Sequence, residues 1–218
     1  MTSGTLTALV AAGFLAAVDW AAVLRGNRAG ERVAKPAVMA CLILAVLLGD
    51  PAAAPVRWLL VAALAASLAG DWLLLPPGRF TAGLVAFLVA HLAYLVIFLS
   101  GPLASNGLLI GLVAAAIVMV TVGRVILAGA ASTGERLPVA IYLVVISTMA
   151  IAATGSGSAI AAIGAWLFVA SDAMLGWDRF VATPAVTAGA DARRRLLVMV
   201  TYHSAQLVLT IAILRLTP

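Results

Sequence analysis

Long apolar runs make up most of the chain, and each run approaches the length that a helix needs to cross a bilayer. About 20 apolar residues span the hydrocarbon core, and eight runs of roughly that length, the second one shorter, follow one another along the sequence. We therefore predict an all-α, polytopic membrane bundle of about eight transmembrane helices. The runs are Thr5–Leu24, Pro36–Gly49, Arg57–Leu75, Phe80–Leu99, Asn106–Gly123, Leu137–Thr154, Ser158–Trp177 and Leu196–Leu214.

The composition excludes an ordinary soluble domain. Of the 218 residues, 65% are hydrophobic and 10% are charged, whereas a soluble domain is about half apolar and about a quarter charged. No long polar linker divides the chain, so we predict that residues 1–218 form a single domain. The net charge of +5 does not indicate nucleic acid as a partner, because the basic residues sit in short loops, where they orient a membrane protein.

The distribution of basic residues predicts the orientation in the membrane. The loops after the odd-numbered runs hold 11 of the 13 Lys and Arg residues, which leaves Arg57 and Arg215 on the other side. The positive-inside rule then places these loops in the cytoplasm and both termini outside the cell membrane. The first run lacks a preceding basic segment, so we predict a spanning helix rather than a signal peptide. Helix ends are predicted at Pro76-Pro77-Gly78-Arg79, Gly101-Pro102 and Gly155-Ser156-Gly157.

Two pairs of short segments predict an internal repeat. Ala69–Leu74 and Ala170–Leu175 each place an Asp after a small residue, and His91–Val96 and His203–Val208 share His, Ala, Leu and Val at the same spacing. The offset of four helices would give two four-helix repeats in parallel orientation. Chance similarity between apolar segments explains the match about as well.

A few ionisable and polar side chains interrupt the apolar runs. A charged side chain near the middle of a membrane costs about 3 kcal/mol or more and usually faces a cavity or a partner. Counted from the ends of their runs at about 1.5 Å per residue, most of these residues lie in one half of the bilayer. We therefore predict a water-filled pocket that opens to the cytoplasm. The residues are Asp19, Asp71, His91, Tyr94, Asp172, Tyr202, His203 and Gln206.

Structural roles would also explain these residues. Asp71 and Asp172 could be hydrogen-bonded to Ser67, Ser171 or neighbouring helices, and Asp19 could pair with Lys35. The sequence contains no Gly-x-Ser-x-Gly, His-x-x-x-His or Cys-x-x-Cys motif. A metal site would therefore need a mixed set of Asp and His ligands, for which no local spacing is evident.

Five segments resemble the YhhN family of membrane proteins, which includes the lysoplasmalogenases. The resemblance extends over nearly the whole chain, and the stretch from Phe80 to Tyr94 is its most specific part. The segments are Lys35-Pro36, Ser67–Asp71, Phe80–Tyr94, Ser171–Leu175 and Tyr202–Gln206.

The resemblance implies hydrolysis of the vinyl-ether bond of a lysoplasmalogen, which is an alkenyl lysophospholipid, to a fatty aldehyde and a glycerophospho-ethanolamine or -choline. Vinyl ethers yield to acid through an oxocarbenium ion, the type of cation that paired carboxyl groups handle in glycoside hydrolysis. We therefore predict Asp71 and Asp172 as an acid–base pair, without assigning the roles, and expect no metal or other cofactor. The predicted substrate-binding residues are Lys35 (for the phosphate), His91, Tyr94, Tyr202, His203, Gln206 and Asp19.

Two other functions remain open at this stage. A metal-dependent membrane amidase or esterase could use the Asp and His residues as ligands. A small transporter or lipid-binding protein would also explain repeats and intramembrane carboxylates.

Overall fold

The computed structural model describes residues 1–49, 54–76, 78–182 and 188–216, and within these ranges the fold is a bundle of eight long helices without strands. Seven of the helices are long and apolar enough to cross a membrane. The exception is α2, whose first third is charged. The helices are α1 (Ser3–Leu24), α2 (Arg28–Leu48), α3 (Ala54–Leu73), α4 (Phe80–Leu99), α5 (Ser105–Ser132), α6 (Arg136–Gly155), α7 (Ala159–Phe180) and α8 (Ala188–Leu216). The prediction of an all-α, polytopic bundle is thus confirmed.

The start of α2 was predicted wrongly. This helix begins at Arg28, where the Asn27 side chain accepts a hydrogen bond from the Gly30 amide at 3.0 Å, and Pro36 lies inside it rather than at its start. Because proline removes one backbone donor from a helix interior, Pro36 was interpreted as the first residue of this helix. The longer helix places Lys35 on α2, more than a turn inside its N-terminus, instead of in a loop.

The end of α5 was also predicted wrongly. The helix continues past Gly123 through a π-helical turn, Met119–Gly123, and then as regular α-helix to Ser132. Arg124, which was read as a loop residue, is therefore an exposed residue within the helix. Isolated π-helical turns occur mostly as bulges within α-helices, often at functional sites.

The remaining helix ends agree with the glycine and proline signals. Breaks occur at residues 100–104 and 156–158, and Gly157 adopts a left-handed φ of +75° in the second of them. The break before α4 also falls where it was predicted, with Gly78 at φ +81°, although Pro77 lies outside the described residues.

Seven of the helices form a ring in which each one packs on the next. The order is α1, α2, α3, α4, α6, α7 and α8, and α8 closes the ring on α1. Helix α5 packs outside this ring against α6, and its last turns also reach α7. Large apolar side chains cover the outer surface, as contact with lipid requires; examples are Phe14, Leu109, Ile110, Val113 and Val144.

Glycines bring several helices unusually close together. A Cβ atom on Gly107 of α5 would lie 2.6 Å from the Thr154 carbonyl oxygen on α6. A Cβ atom on Gly111 would lie 2.9 Å from the Ile151 Cα on the same helix. Small residues four positions apart allow such backbone contact between membrane helices. The predicted repeat pairs α3 and α4 with α7 and α8, and it stays a prediction.

Candidate active site

One cavity of about 230 Å³ contains both predicted catalytic carboxylates. It lies between α2, α3, α4, α7 and α8, at the end of the bundle where the basic residues are concentrated. Asp71 of α3 and Asp172 of α7 line it, together with Lys35, Phe87 and Tyr202. The structure therefore brings residues from five helices to a single pocket, whose lining combines charged and apolar side chains.

Asp71 is held by a cation and a phenol. Its side chain is 2% exposed, its Oδ1 lies 2.9 Å from the Lys35 ammonium, and its Oδ2 accepts a hydrogen bond from the Tyr202 hydroxyl at 2.8 Å. The Lys35 ammonium also lies 5.3 Å from the centre of the Tyr202 ring, within the range of a cation–π contact. These contacts satisfy a negative charge at Asp71, since an ion pair and a charge-assisted hydrogen bond both favour the carboxylate.

Asp172 has a different environment. Its Oδ2 accepts a hydrogen bond from the Tyr142 hydroxyl and lies 3.9 Å from the Nε2 atom of His91. The Nδ1 atom of His91 is 2.6 Å from the Phe87 carbonyl oxygen, which can only accept, so Nδ1 carries the proton. A neutral His91 then presents the lone pair of Nε2 to Asp172. No lysine or arginine forms an ion pair with Asp172 among the described residues.

An aromatic cluster links the side chains that contact the two carboxylates. Phe168 packs edge-to-face on His91, Phe87 and Tyr202, with ring centres 4.5, 6.3 and 5.6 Å apart. The same arrangement links His91 to Tyr142 at 5.3 Å. The cluster connects the partners of Asp71 with those of Asp172 and fixes their positions relative to each other.

Tyr142 is the site residue that the sequence reasoning missed. It contacts an aspartate 30 positions away on the next helix, and nothing near it in the sequence is polar enough to mark a site. One signal was available, because the chain has only three tyrosines and a buried phenol requires a hydrogen-bond partner.

Five of the predicted substrate-binding residues do not line the cavity. They are His91, which lies beside Asp172, and the members of two buried pairs. The Tyr94 hydroxyl donates to Gln206 Oε1 at 2.7 Å, and both side chains are fully buried between α4 and α8. Asp19 Oδ2 and His203 Nδ1 face each other at 3.9 Å between α1 and α8, also fully buried. Asp19 does not pair with Lys35, whose ion pair is with Asp71.

Charged side chains surround the opening of the cavity. Glu31 of α2 forms an ion pair with Arg195 of α8 and a longer one, at 3.7 Å, with Arg28. Asp178 also lines the cavity and pairs with Arg194 at 3.4 Å. The cavity that contains the two aspartates is therefore also lined by positive and negative groups joined in ion pairs.

No set of three or more His, Cys, Asp or Glu side chains is placed to hold a metal ion in the part of the chain that the structure describes. The structural alternative is met by neighbouring helices, through Tyr202 for Asp71 and Tyr142 for Asp172, and not by the two serines. The Ser67 hydroxyl has no partner among the described residues, and the Ser171 hydroxyl donates to the Val198 carbonyl rather than to an aspartate.

The fold and the site define a class, namely polytopic helical membrane proteins with a two-carboxylate pocket at one end of the bundle. The chain belongs to the YhhN family, whose match extends over residues 30–213. No solved structure gives a significant match to this chain.

The chain is similar to proteins named as lysoplasmalogenases. It is 38% identical over 158 residues to lysoplasmalogenase TMEM86B of Rattus norvegicus, covering 72% of this chain and 62% of that protein. It is 35% identical over 157 residues to the Homo sapiens protein of the same name, covering 72% and 64%. It is 35% identical over 165 residues to lysoplasmalogenase of Mycobacterium tuberculosis, covering 70% and 62%. The chain thus spans somewhat less than two thirds of the length of these relatives.

Proposed function

We propose that this protein is a lysoplasmalogenase, a membrane hydrolase that cleaves the vinyl-ether bond of alkenyl lysophospholipids. The observation that carries the proposal is the pair of aspartates in one cavity, each with different partners. The names of the relatives supply the substrate class. The reaction needs one carboxylic acid and one carboxylate, and different surroundings allow two carboxyl groups to take those two roles.

Asp172 is the general acid in this proposal. It has no cationic partner among the described residues and accepts a hydrogen bond from Tyr142 alone, so its charged form is less stabilised than that of Asp71. Asp172 gives its proton to the alkene carbon that does not bear the oxygen. A C–H bond forms from the electrons of the double bond, and the adjacent carbon becomes an oxocarbenium ion. Tyr142 stabilises the carboxylate that this step leaves behind.

Asp71 is the general base. The ion pair with Lys35 keeps it charged, and Tyr202 fixes the direction of its second oxygen. Asp71 takes a proton from water while the water oxygen bonds to the oxocarbenium carbon, which gives a hemiacetal. Before the water attacks, both aspartates are negatively charged, and their charge stabilises the oxocarbenium ion, as preorganised charges do in other active sites.

Collapse of the hemiacetal restores both groups. The bond between the former vinyl carbon and the glycerol oxygen breaks, and the glycerol oxygen takes the proton from Asp71. The hydroxyl proton of the hemiacetal passes to Asp172 as the aldehyde carbonyl forms. The products are a fatty aldehyde and a glycerophospho-alcohol, and the two carboxyl groups end in their starting states.

The head group of the substrate lies at the charged opening of the cavity. The ion pair commits the Lys35 ammonium to the buried Asp71. Arg28 and Arg195 instead share the carboxylate of Glu31, so one of them can turn to the phosphate while the other keeps that ion pair. Arg28 is 64% exposed and free to reorient. Glu31 and Asp178 then provide negative charge for the amine or choline. By the positive-inside rule this opening lies on the cytoplasmic side of the cell membrane.

The test is aldehyde release from an alkenyl lysophospholipid by the purified protein in detergent or lipid, carried out in D₂O. Protonation at carbon places one solvent deuterium next to the aldehyde carbonyl, which neither ester hydrolysis nor transport would do. Asp71→Asn and Asp172→Asn are each expected to lower kcat by at least about a thousandfold, since both proton transfers lose their group.

Three results would contradict this proposal. Full activity in both Asn variants would rule out the aspartate pair. Loss of activity on chelation, with recovery on adding a metal, would indicate the metal-dependent alternative. An intact protein that releases no aldehyde but moves the lipid across a liposome membrane would indicate transport.

A further inference from the structure

We infer that the alkenyl chain of the substrate lies in an apolar groove between α4, α5, α6 and α7, and that Asp172 stands at the junction of this groove with the polar cavity. The inference rests on the proposed function and adds the route of the chain, the residues that limit its length and the side from which the lipid enters. The groove is defined here by Leu84, Val122, Ile126, Leu143 and Ile146.

Two small cavities make up the groove. One of about 40 Å³ lies between the first turns of α4 and α6 and the last turns of α5 and α7. The other, of about 20 Å³, continues along the π-helical turn of α5 towards the middle of the bundle. Ile126, Leu143 and Asp172 line both cavities, so the two cavities adjoin at the acid.

The polar cavity meets the groove at the same aspartate. Asp172 lines the large cavity and both small ones, and Phe87 and Leu175 form the wall that the large cavity shares with the first small one. The charged groups of the entrance are absent from the lining of the small cavities, where Asp172 is the only charged residue among those that the structure describes. A polar compartment and an apolar one thus meet at the proton donor.

A lysoplasmalogen has the same division. Its phosphate and amine are charged, its chain is apolar, and the vinyl-ether bond lies at the boundary between the two. A ligand with the head group near Arg28 and Arg195 and the chain in the groove therefore places its alkene at Asp172. The apolar groups that bind the non-reacting chain position the reacting carbon, which is how remote binding contributes to a catalytic step.

The π-helical turn of α5 forms the outer side of the groove. Val118, Met119 and Val122 line the second cavity and are also partly exposed on the outer surface, so the groove borders the lipid at this turn. Backbone displacement at a π-helical turn changes which side chains face inward. Since the cavities are narrow, the end of a long chain extends past this turn into the bilayer, and the lipid enters sideways from the membrane.

The decisive experiment places an indole in the groove. Leu143→Trp fills the junction of the two cavities, whereas the matched control Val144→Trp adds the same side chain on the next residue, which is 61% exposed on the lipid side. With a hexadecenyl lysophospholipid, Leu143→Trp is expected to lower kcat/KM at least about tenfold, since a blocked apolar pocket discriminates by this order. With a hexenyl analogue the two variants are expected to differ less than about twofold.

Other outcomes overturn the inference. An equal loss on long and short chains would mean that the indole damages the site, and no loss on either would mean that the chain takes another path. Leu143→Phe, a smaller change, repeats the comparison if Leu143→Trp does not fold as judged by its thermal unfolding in detergent.

A second measurement separates this inference from the proposed function. A saturated-ether lysophospholipid with a diazirine in the chain cannot be hydrolysed by the proposed route, and its photo-cross-links report binding alone. Cross-links on residues 118–126 and 143–146 would support the groove whether or not the wild-type protein releases aldehyde. The absence of aldehyde would refute only the proposed activity. Cross-links confined to α1 or α8 would overturn the groove even if aldehyde is released.

Discussion

At the scale of single residues, the three tyrosines allow the proposed catalysis to be tested apart from structural support. All three are buried, and each hydroxyl donates to a side-chain oxygen on another helix. Tyr142 contacts Asp172, Tyr202 contacts Asp71, and Tyr94 contacts Gln206 outside the cavity. The same change, Tyr to Phe, therefore removes one hydroxyl from each aspartate and one from a pair that does not line the cavity.

We expect Tyr142→Phe and Tyr202→Phe to lower kcat by about ten- to a hundredfold, because a hydrogen bond to a charged group contributes about 1.5 to 3 kcal/mol. Tyr94→Phe should keep near wild-type kcat and instead lower thermal stability by about 1 to 3 kcal/mol, since it leaves the buried Gln206 oxygen without its donor. Aldehyde release and thermal unfolding of the three variants give the comparison. An equal loss of kcat in Tyr94→Phe would show that the Tyr94–Gln206 pair belongs to the site.

At the scale of elements, the contact between α5 and α6 depends on glycine. Gly107 and Gly111 face the end of α6 so closely that a methyl group would meet backbone atoms of Thr154 and Ile151 rather than flexible side chains. Apolar helices gain little from association inside lipid except through such close packing. The position of α5 outside the ring, and with it the outer side of the groove, therefore depends on these two small residues.

We expect Gly111→Ala to lower the free energy of unfolding by about 1 to 3 kcal/mol, the cost of forcing extra atoms into a packed contact. The control is Gly13→Ala on α1, where a Cβ atom would meet nothing within 4 Å. Alanine favours helix over glycine, so this variant should be no less stable than the wild type. Thermal unfolding in the same detergent measures both, and equal stability of the two variants would contradict the close packing of α5 on α6.

At the scale of the whole molecule, the sequence predicts which residues are deep in the bundle better than it predicts where they point. Counting along a helix gave the depth of Asp71 and Asp172, and both line one cavity. It could not give the direction of Tyr94 or Asp19, because lipid and bundle interior are both apolar and leave no periodic signal on a membrane helix. The Lys35–Asp71 ion pair was missed since α2 was predicted to begin at Pro36, which removed Lys35 from the bundle.

The orientation of the whole molecule decides which leaflet supplies the substrate, and the two ends of the bundle allow a matched test. Ser100 directly follows α4 and Ser132 ends α5, so the two exposed residues lie at opposite ends of the bundle. Ser132 lies at the basic end, where the Thr81 hydroxyl of α4 donates to Glu135 at 3.1 Å. In a variant that lacks the single native cysteine, Cys41, a membrane-impermeant maleimide added to intact cells should label Ser100→Cys and leave Ser132→Cys unlabelled until the cells are opened. Labelling in the reverse order would place the cavity opening outside the cell, and the substrate would then come from the outer leaflet rather than from lipids made or remodelled in the cytoplasm.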